Sequence, residues 1–353
     1  MTVFLVIIVL ALLGITGWQL SKIFELSKGP GADSTQIAND NDNRQQAKYM
    51  LWFMIFLYVG MAYSFWKWSK LYLPEAASEH GSQVDLLMFI SIGLIMVVQV
   101  LTQALLHWFA YKYQGRKGNK ALFFADNDKL EFIWTIIPVI TLAGLIIYGL
   151  FTWSDIMNID EDSDPIVIEI YAKQFSWQAR YAGEDNTLGD ANVRFIEGRN
   201  NVGVDESDPY AQDDKITTEL HLPVDRPVLF KFRSQDVLHS AYFPHFRAQM
   251  NVVPGMVTQF GFTPSITTAE MRDSEYMVDK VKTINEIRKD NSEILSAEGE
   301  MPLDPYEFDY FIACNKICGD AHYNMQMKIV VETEEEYNAW LSEQSTFGEF
   351  MDN

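Results

Sequence analysis

Apolar residues fall in long unbroken blocks through the first part of the chain and in short alternating runs thereafter. Four blocks have the length of a bilayer-spanning helix, which needs about 20 predominantly apolar residues. The first covers Val3 to Gln19 and lacks both a basic start and a small-residue cleavage site, so it is expected to stay as a helix over 1–26. A polar loop over 27–48 follows, then a second span over 49–72 ending in Trp66, Trp68 and Tyr72 as an interfacial aromatic belt. Residues 84–153 read as a helical hairpin: Val84 to Trp108, a basic loop over Tyr111–Lys120, then Leu130 to Trp153. Positive charge beside a span marks the cytoplasmic side. This puts the amino terminus outside, the first loop inside, and everything after the fourth span outside.

Beyond an acidic stretch over Asp155–Asp164 the period changes to two. Ile166–Ala172 and Gln174–Tyr181 alternate as strands, and Thr218–Val224 with Pro227–Arg233 read as a strand pair around a short turn. Phe260–Phe262, Tyr306–Ala313 and Met327–Glu332 continue the strands, which predicts an all-β sandwich over 154–353. Residues 267–303 break the pattern with helical spacing and read as one or two inserted helices. Glu334–Gln344 reads as a short amphipathic helix.

The chain has 353 residues and a net charge of -21, and roughly four fifths of its acidic side chains follow residue 153. That excess repels nucleic acid and attracts a basic protein partner, or simply keeps the domain soluble. Candidate chemistry concentrates in Cys314-Asn315-Lys316-Ile317-Cys318-Gly319-Asp320-Ala321-His322-Tyr323-Asn324-Met325, which contains both cysteines of the protein. Thiolates, an imidazole and a thioether so close together suit a soft metal, copper above all. Two deprotonated cysteines at this spacing can bridge a pair of copper ions that share one electron. A plain disulfide and a copper-delivery site are the alternatives from the residues alone. His239, on the loop expected after a strand, is the candidate second imidazole, with His245 as its competitor. Glu131, at the cytoplasmic lip of the fourth span, marks either a proton path or a helix start favoured by the dipole.

Taken together, these residues resemble subunit II of the haem-copper cytochrome oxidases. The resemblance rests on Leu130–Pro138, Leu222-Pro223-Val224, Asp236–Ser240, Val253-Pro254-Gly255, Cys314-x3-Cys318-Gly319-x2-His322-x2-Met325 and Ala339-Trp340-Leu341. It implies a cupredoxin-like sandwich behind a membrane α-helical part, with a binuclear copper A centre. Cys314 and Cys318 would bridge the two coppers. His239 and Met325 would complete one copper, and His322 with the backbone carbonyl of Lys316 the other. Glu131 would open a proton-uptake path into subunit I. The resemblance further implies a c-type cytochrome donor, haems in the partner subunit I, other oxidase subunits, and a bacterial inner membrane with the copper domain on the periplasmic face. Retained copper ligands separate the chain from quinol-oxidizing relatives. Where the family has a glutamate that helps bind magnesium, this chain has Lys316. Phe175 stands at the family's electron-input tryptophan, and Trp177 matches the second tryptophan of that motif. Asn251 and Met256 replace a usual Asp and Arg.

Overall fold

The computed structural model describes residues 2–27, 40–69, 73–158 and 163–352. Residues 28–39 of the expected loop, Tyr72, and 159–162 of the acidic stretch lie outside the described residues. Contacts divide the chain into two units, 1–70 with 92–134 and 71–91 with 135–353.

In the first part of the chain the apolar blocks form helices α1 (Thr2–Ser27), α2 (Asp40–Trp68), α3 (Gly81–Lys112) and α4 (Asp128–Met157). Among the described residues α2, α3 and α4 are long and apolar enough to cross a membrane, while α1 contributes a shorter apolar stretch, Ile8–Ser21. Their large side chains stand exposed, Phe56 at 73% and Phe151 at 72%, as a surface meant for lipid or protein requires. The polar residues 40–48, read as linker, are instead the first turns of α2, with Asp40 and Asp42 placed where the helix dipole favours them. Within the first unit α2 runs antiparallel to α3. Asn43 Nδ2 donates to the Gly115 carbonyl at 3.1 Å, the Phe53 and His107 rings lie 5.7 Å apart, and Tyr58 Oη donates to the Val100 carbonyl.

The second part is a sandwich of two five-stranded sheets. One sheet orders β3 (Lys215–Thr217), β2 (Ser176–Tyr181), β1 (Ile166–Lys173), β5 (Val228–Ser234) and β8 (Thr258–Phe262). The other orders β4 (Leu220–Pro223), β10 (Gln326–Glu332), β9 (Tyr310–Cys314), β6 (His239–Phe243) and β7 (Ala248–Val252). Alternation delivers Ile168, Ile170, Phe230 and Phe232 from the first sheet onto Leu222, Phe243, Ile312 and Ile329 from the second, all buried. The mixed pairing, with β1 parallel to β5 and β4 parallel to β10, gives the cupredoxin-like arrangement.

One expectation is corrected by this topology. Leu220–Pro223 and Val228–Ser234 are adjacent in sequence but do not pair with each other, because the chain between them crosses from one sheet to the other. Asp225, at φ 59°, makes the turn, and its N–H donates to the Pro264 carbonyl at 2.8 Å. The inserted helices are α5 (Thr268–Asp273) and α6 (Glu275–Ala297), each begun by a side-chain cap, Thr267 and Ser274. α7 (Glu334–Glu343) starts from a capping box of Thr333 and Glu336. A final helix, α8 (Phe347–Asp352), was not expected from the pattern and is anchored by the buried Phe347.

Candidate metal centre

Strand alternation explains how the ligand-type side chains meet. In β9 the buried positions are Tyr310, Ile312 and Cys314, so the strand ends by presenting Cys314 on its inner face. Ala241 of β6 is the direct neighbour of Cys314, and His239 lies two residues along the same strand, on the same face. His239 is therefore the first residue of a strand, not part of a preceding loop, and this fixes its position more tightly. Backbone bonds from Cys314 N to Met325 O and from Asn315 N to Ser240 O, both 2.9 Å, close the base of the loop between β9 and β10.

Inside that loop the donors converge. The Cys314 and Cys318 sulfurs lie 3.8 Å apart, both as free thiols. His239 Nδ1 is 3.8 Å from Cys314 Sγ, and these two residues with Cys318 form a buried group whose ligand atoms all lie within 4.8 Å. His322 Nδ1 is 3.5 Å and Met325 Sδ 3.7 Å from Cys318 Sγ. The Lys316 carbonyl oxygen is 3.2 Å from Cys314 Sγ. Two thiols, two imidazoles, a thioether and a carbonyl thus surround one small volume, a donor set that suits copper. Burial, then the hydrogen bond with Cys314, pushes the Cys318 thiol up to about 11. A metal taken up here must displace protons from the sulfurs.

Residues around the loop hold its shape. His239 Nε2 lies 2.9 Å from Asp236 Oδ1, so the ring's far nitrogen is anchored while Nδ1 faces the sulfurs. Burial works against the Asp236 charge, but hydrogen bonds from Gln174 N–H, His239 and Val237 N–H outweigh it and leave the carboxyl below its usual range. Trp177 is buried, donates from Nε1 to the Met325 carbonyl at 3.3 Å, and meets the His239 ring edge-on at 6.0 Å. Phe175 is half-buried and leans on Gly319, whose φ is 140°. A side-chain carbon at Gly319 would come within 2.7 Å of Phe175 Cζ and 2.9 Å of Gln174 Nε2. Gln174 also donates to the Cys318 carbonyl. Asp236 and Gln174 were not singled out from the sequence as parts of the centre. Their signal was present for Asp236, three residues before a ligand-type histidine, but absent for Gln174.

His245 does not join the centre. It lies beyond the end of β6, buried against Phe308 and Tyr310, and desolvation there lowers its imidazole to about 3. Glu131 is in the first turn of α4 and exposed, with its N–H bonded to the Asn127 carbonyl at 2.9 Å. The centre's donors all come from the sandwich.

Comparison with known proteins agrees with this chemistry. Residues 66–151 match the family model for the transmembrane domain of cytochrome c oxidase subunit II. The alternative cytochrome c oxidase subunit 2 of Bradyrhizobium diazoefficiens is 32% identical over 257 residues, 72% of this chain and 76% of that one. The chain belongs to the cytochrome c oxidase subunit II family. A cytochrome c oxidase subunit 2 from Synechocystis sp. is 24% identical over 295 residues, 76% of this chain and 75% of that one. A quinol oxidase subunit 2 from Bacillus subtilis is 24% identical over 234 residues, 62% and 64% of the two chains. Subunit II membership implies copper, and the buried His239–Cys314–Cys318 group fits it.

Proposed function

We propose that this chain is the electron-input subunit of a haem-copper terminal oxidase, taking electrons singly from a c-type cytochrome on the periplasmic face of a bacterial inner membrane. The electrons pass on to a haem in subunit I, where oxygen is reduced. The observation that carries this reading is the convergence of all the protein's thiols with two imidazoles and a thioether at one end of the sandwich. Cys314 and Cys318 would bridge two coppers, with His239 and Met325 completing one and His322 and the Lys316 carbonyl the other. A copper pair bound there supplies a one-electron carrier whose charge is spread over two metals and two sulfurs.

The chain's own residues prepare that carrier's seat. Asp236 orients His239, Gln174 holds the Cys318 carbonyl, and Trp177 ties the Met325 backbone to β2, which follows the turn holding Phe175. A seat fixed by strands and by these bonds changes little when one electron arrives, as fast transfer requires. Lys316 offers its carbonyl but no carboxylate. Phe175 and Trp177 are the aromatic groups through which the donor's electron would arrive. Glu131 would admit protons from the cytoplasmic side, and the two helices ahead of α3 would be spans additional to the family hairpin, with the amino terminus outside.

The test is Cys318→Ser in the assembled oxidase. The two-copper absorption is expected to vanish and turnover with reduced cytochrome c to fall by about two orders of magnitude. Full absorption and full turnover in the variant would overturn the assignment.

A further inference from the structure

The copper-bearing sheet is tied to the start of α3 by a guanidinium clamp. β6, which opens with His239, is followed by one tight turn, Pro244–Phe246, and then Arg247. Arg247 adopts φ 52°, a left-handed conformation that costs a residue with a side chain free energy a glycine would not lose. Its side chain is nonetheless used almost completely. Nε and Nη2 donate to the two Asp85 oxygens at 2.7 and 2.9 Å, Nη2 to the Pro74 carbonyl at 2.6 Å, and Nη1 to the Pro244 carbonyl at 2.7 Å. The guanidinium side chain is 6% exposed and that of Asp85 20%. A forked pair of this kind, sheltered from water, is stiffer than an exposed ion pair.

The segment between the clamp's two ends is stitched into the sandwich as well. Ala77 N–H donates to the His245 carbonyl at 2.7 Å, Ser78 Oγ to the Phe246 carbonyl at 2.7 Å, and Glu79 N–H to the Thr263 carbonyl at 3.0 Å. Ser265 N–H donates back to the Ala77 carbonyl at 2.9 Å. Ala77 and Ser78 are buried, and Gly81 sits where a side-chain carbon would come within 2.9 Å of Ala76 Cβ. The stretch from Pro74 to Gly81 therefore serves as an additional edge of the domain, and Arg247 locks it to the first turns of α3.

We infer that Arg247 and Asp85 are positioning residues for onward electron transfer: they hold the strand that carries His239 at a fixed place and angle on the outer end of α3. The inference rests on the electron-input reading. Transfer between centres falls off exponentially with their separation, so even a small shift of the strand that carries His239 slows it, as misplacement slows any step that depends on held geometry. The copper ligands themselves touch neither Arg247 nor Asp85, so the clamp acts on where the centre is held and not on what the centre is.

Arg247→Gln, Asp85→Asn and the double variant, each in the assembled oxidase, test it by stopped-flow spectroscopy that follows copper and haem separately. Copper absorption and copper reduction by the donor are expected to match the parent. Haem reduction following copper reduction is expected to slow about tenfold in each single variant and by no more than that in the double. Arg247→Lys, which keeps the charge and loses the fork, is expected to fall between parent and Arg247→Gln. Parent-like haem reduction in the single variants would overturn the inference. So would slowing accompanied by loss of the copper absorption, which assigns the pair to fold maintenance, or strictly multiplicative slowing in the double variant. If the parent oxidase itself showed no copper-to-haem transfer, the electron-input reading would fail instead.

Discussion

At the scale of single residues, the centre depends on side chains whose geometry is over-determined by neighbours. Gly319 is the sharpest case, since its backbone conformation and its contact with Phe175 both exclude a side chain. Gly319→Ala is expected to destabilise the loop by about 1–3 kcal/mol. It should also weaken copper retention in a chelator-competition assay, whereas unchanged retention and melting would show that the loop tolerates another conformation. Glu131 fits two roles, that of a helix-start carboxylate and the proton inlet proposed above. Glu131→Gln separates them, because it keeps the shape and removes the charge. Slower proton uptake with unaltered copper reduction is the expected result, and parent-like uptake leaves only the helix-start role. The ligand-type residues stood out in the sequence because four of them, including both cysteines of the protein, fall within twelve positions. Gln174 was not legible, since its contact depends on a loop 144 residues away in sequence.

At the scale of elements, the strands were easier to find than their partners. The four residues from Val224 to Pro227 look like a hairpin turn, yet β4 pairs with β10 and β5 with β1, both distant in sequence. Alternation reports which residues face inward and is silent on which strand lies alongside. The same limit hid a buried ion network on the outer face of the first sheet. Glu169 and Arg180 alternate with the core residues of β1 and β2, and they are direct cross-strand neighbours covered by the 183–214 loop and by α8. Arg233 grips Glu169 at 2.8 and 3.0 Å, Arg180 reaches Asp214 at 3.0 Å, and the Arg233 guanidinium lies 4.4 Å from the Tyr171 ring centre.

This network has a pH signature. Burial outweighs the attraction of Arg180 and raises the Asp214 carboxyl from 3.8 to about 7. In the fold that group keeps its proton where the unfolded chain has lost it, so its contribution to stability declines as pH rises from about 4 to about 7. Glu169 acts oppositely. Burial raises it, Arg180 and Arg233 together lower it further, and its contribution is present above the ordinary value of 4.5 and lost as pH falls below it. Asp214→Asn should flatten the decline between pH 4 and 7 in denaturant unfolding of the solubilised chain. A slope identical to the parent's would mean that Asp214 is ionised throughout.

At the scale of the whole molecule, charge and hydrophobicity are divided along the chain. The apolar helices carry few acidic groups, and the sandwich carries most of the net charge of -21. An acidic domain favours a basic partner, and the loop from Cys314 to Met325 lies between β9 and β10 at one end of the sandwich. The proposed electron transfer requires that this end of the sandwich bind two metals acting as one redox unit. Copper analysis of the purified, assembled oxidase combined with electron spin resonance decides this most directly. Two coppers per chain in excess of those in subunit I, with a single unpaired electron coupled equally to both nuclei, is the predicted result. One isolated copper with its own signal, or no copper in the domain, would contradict the account.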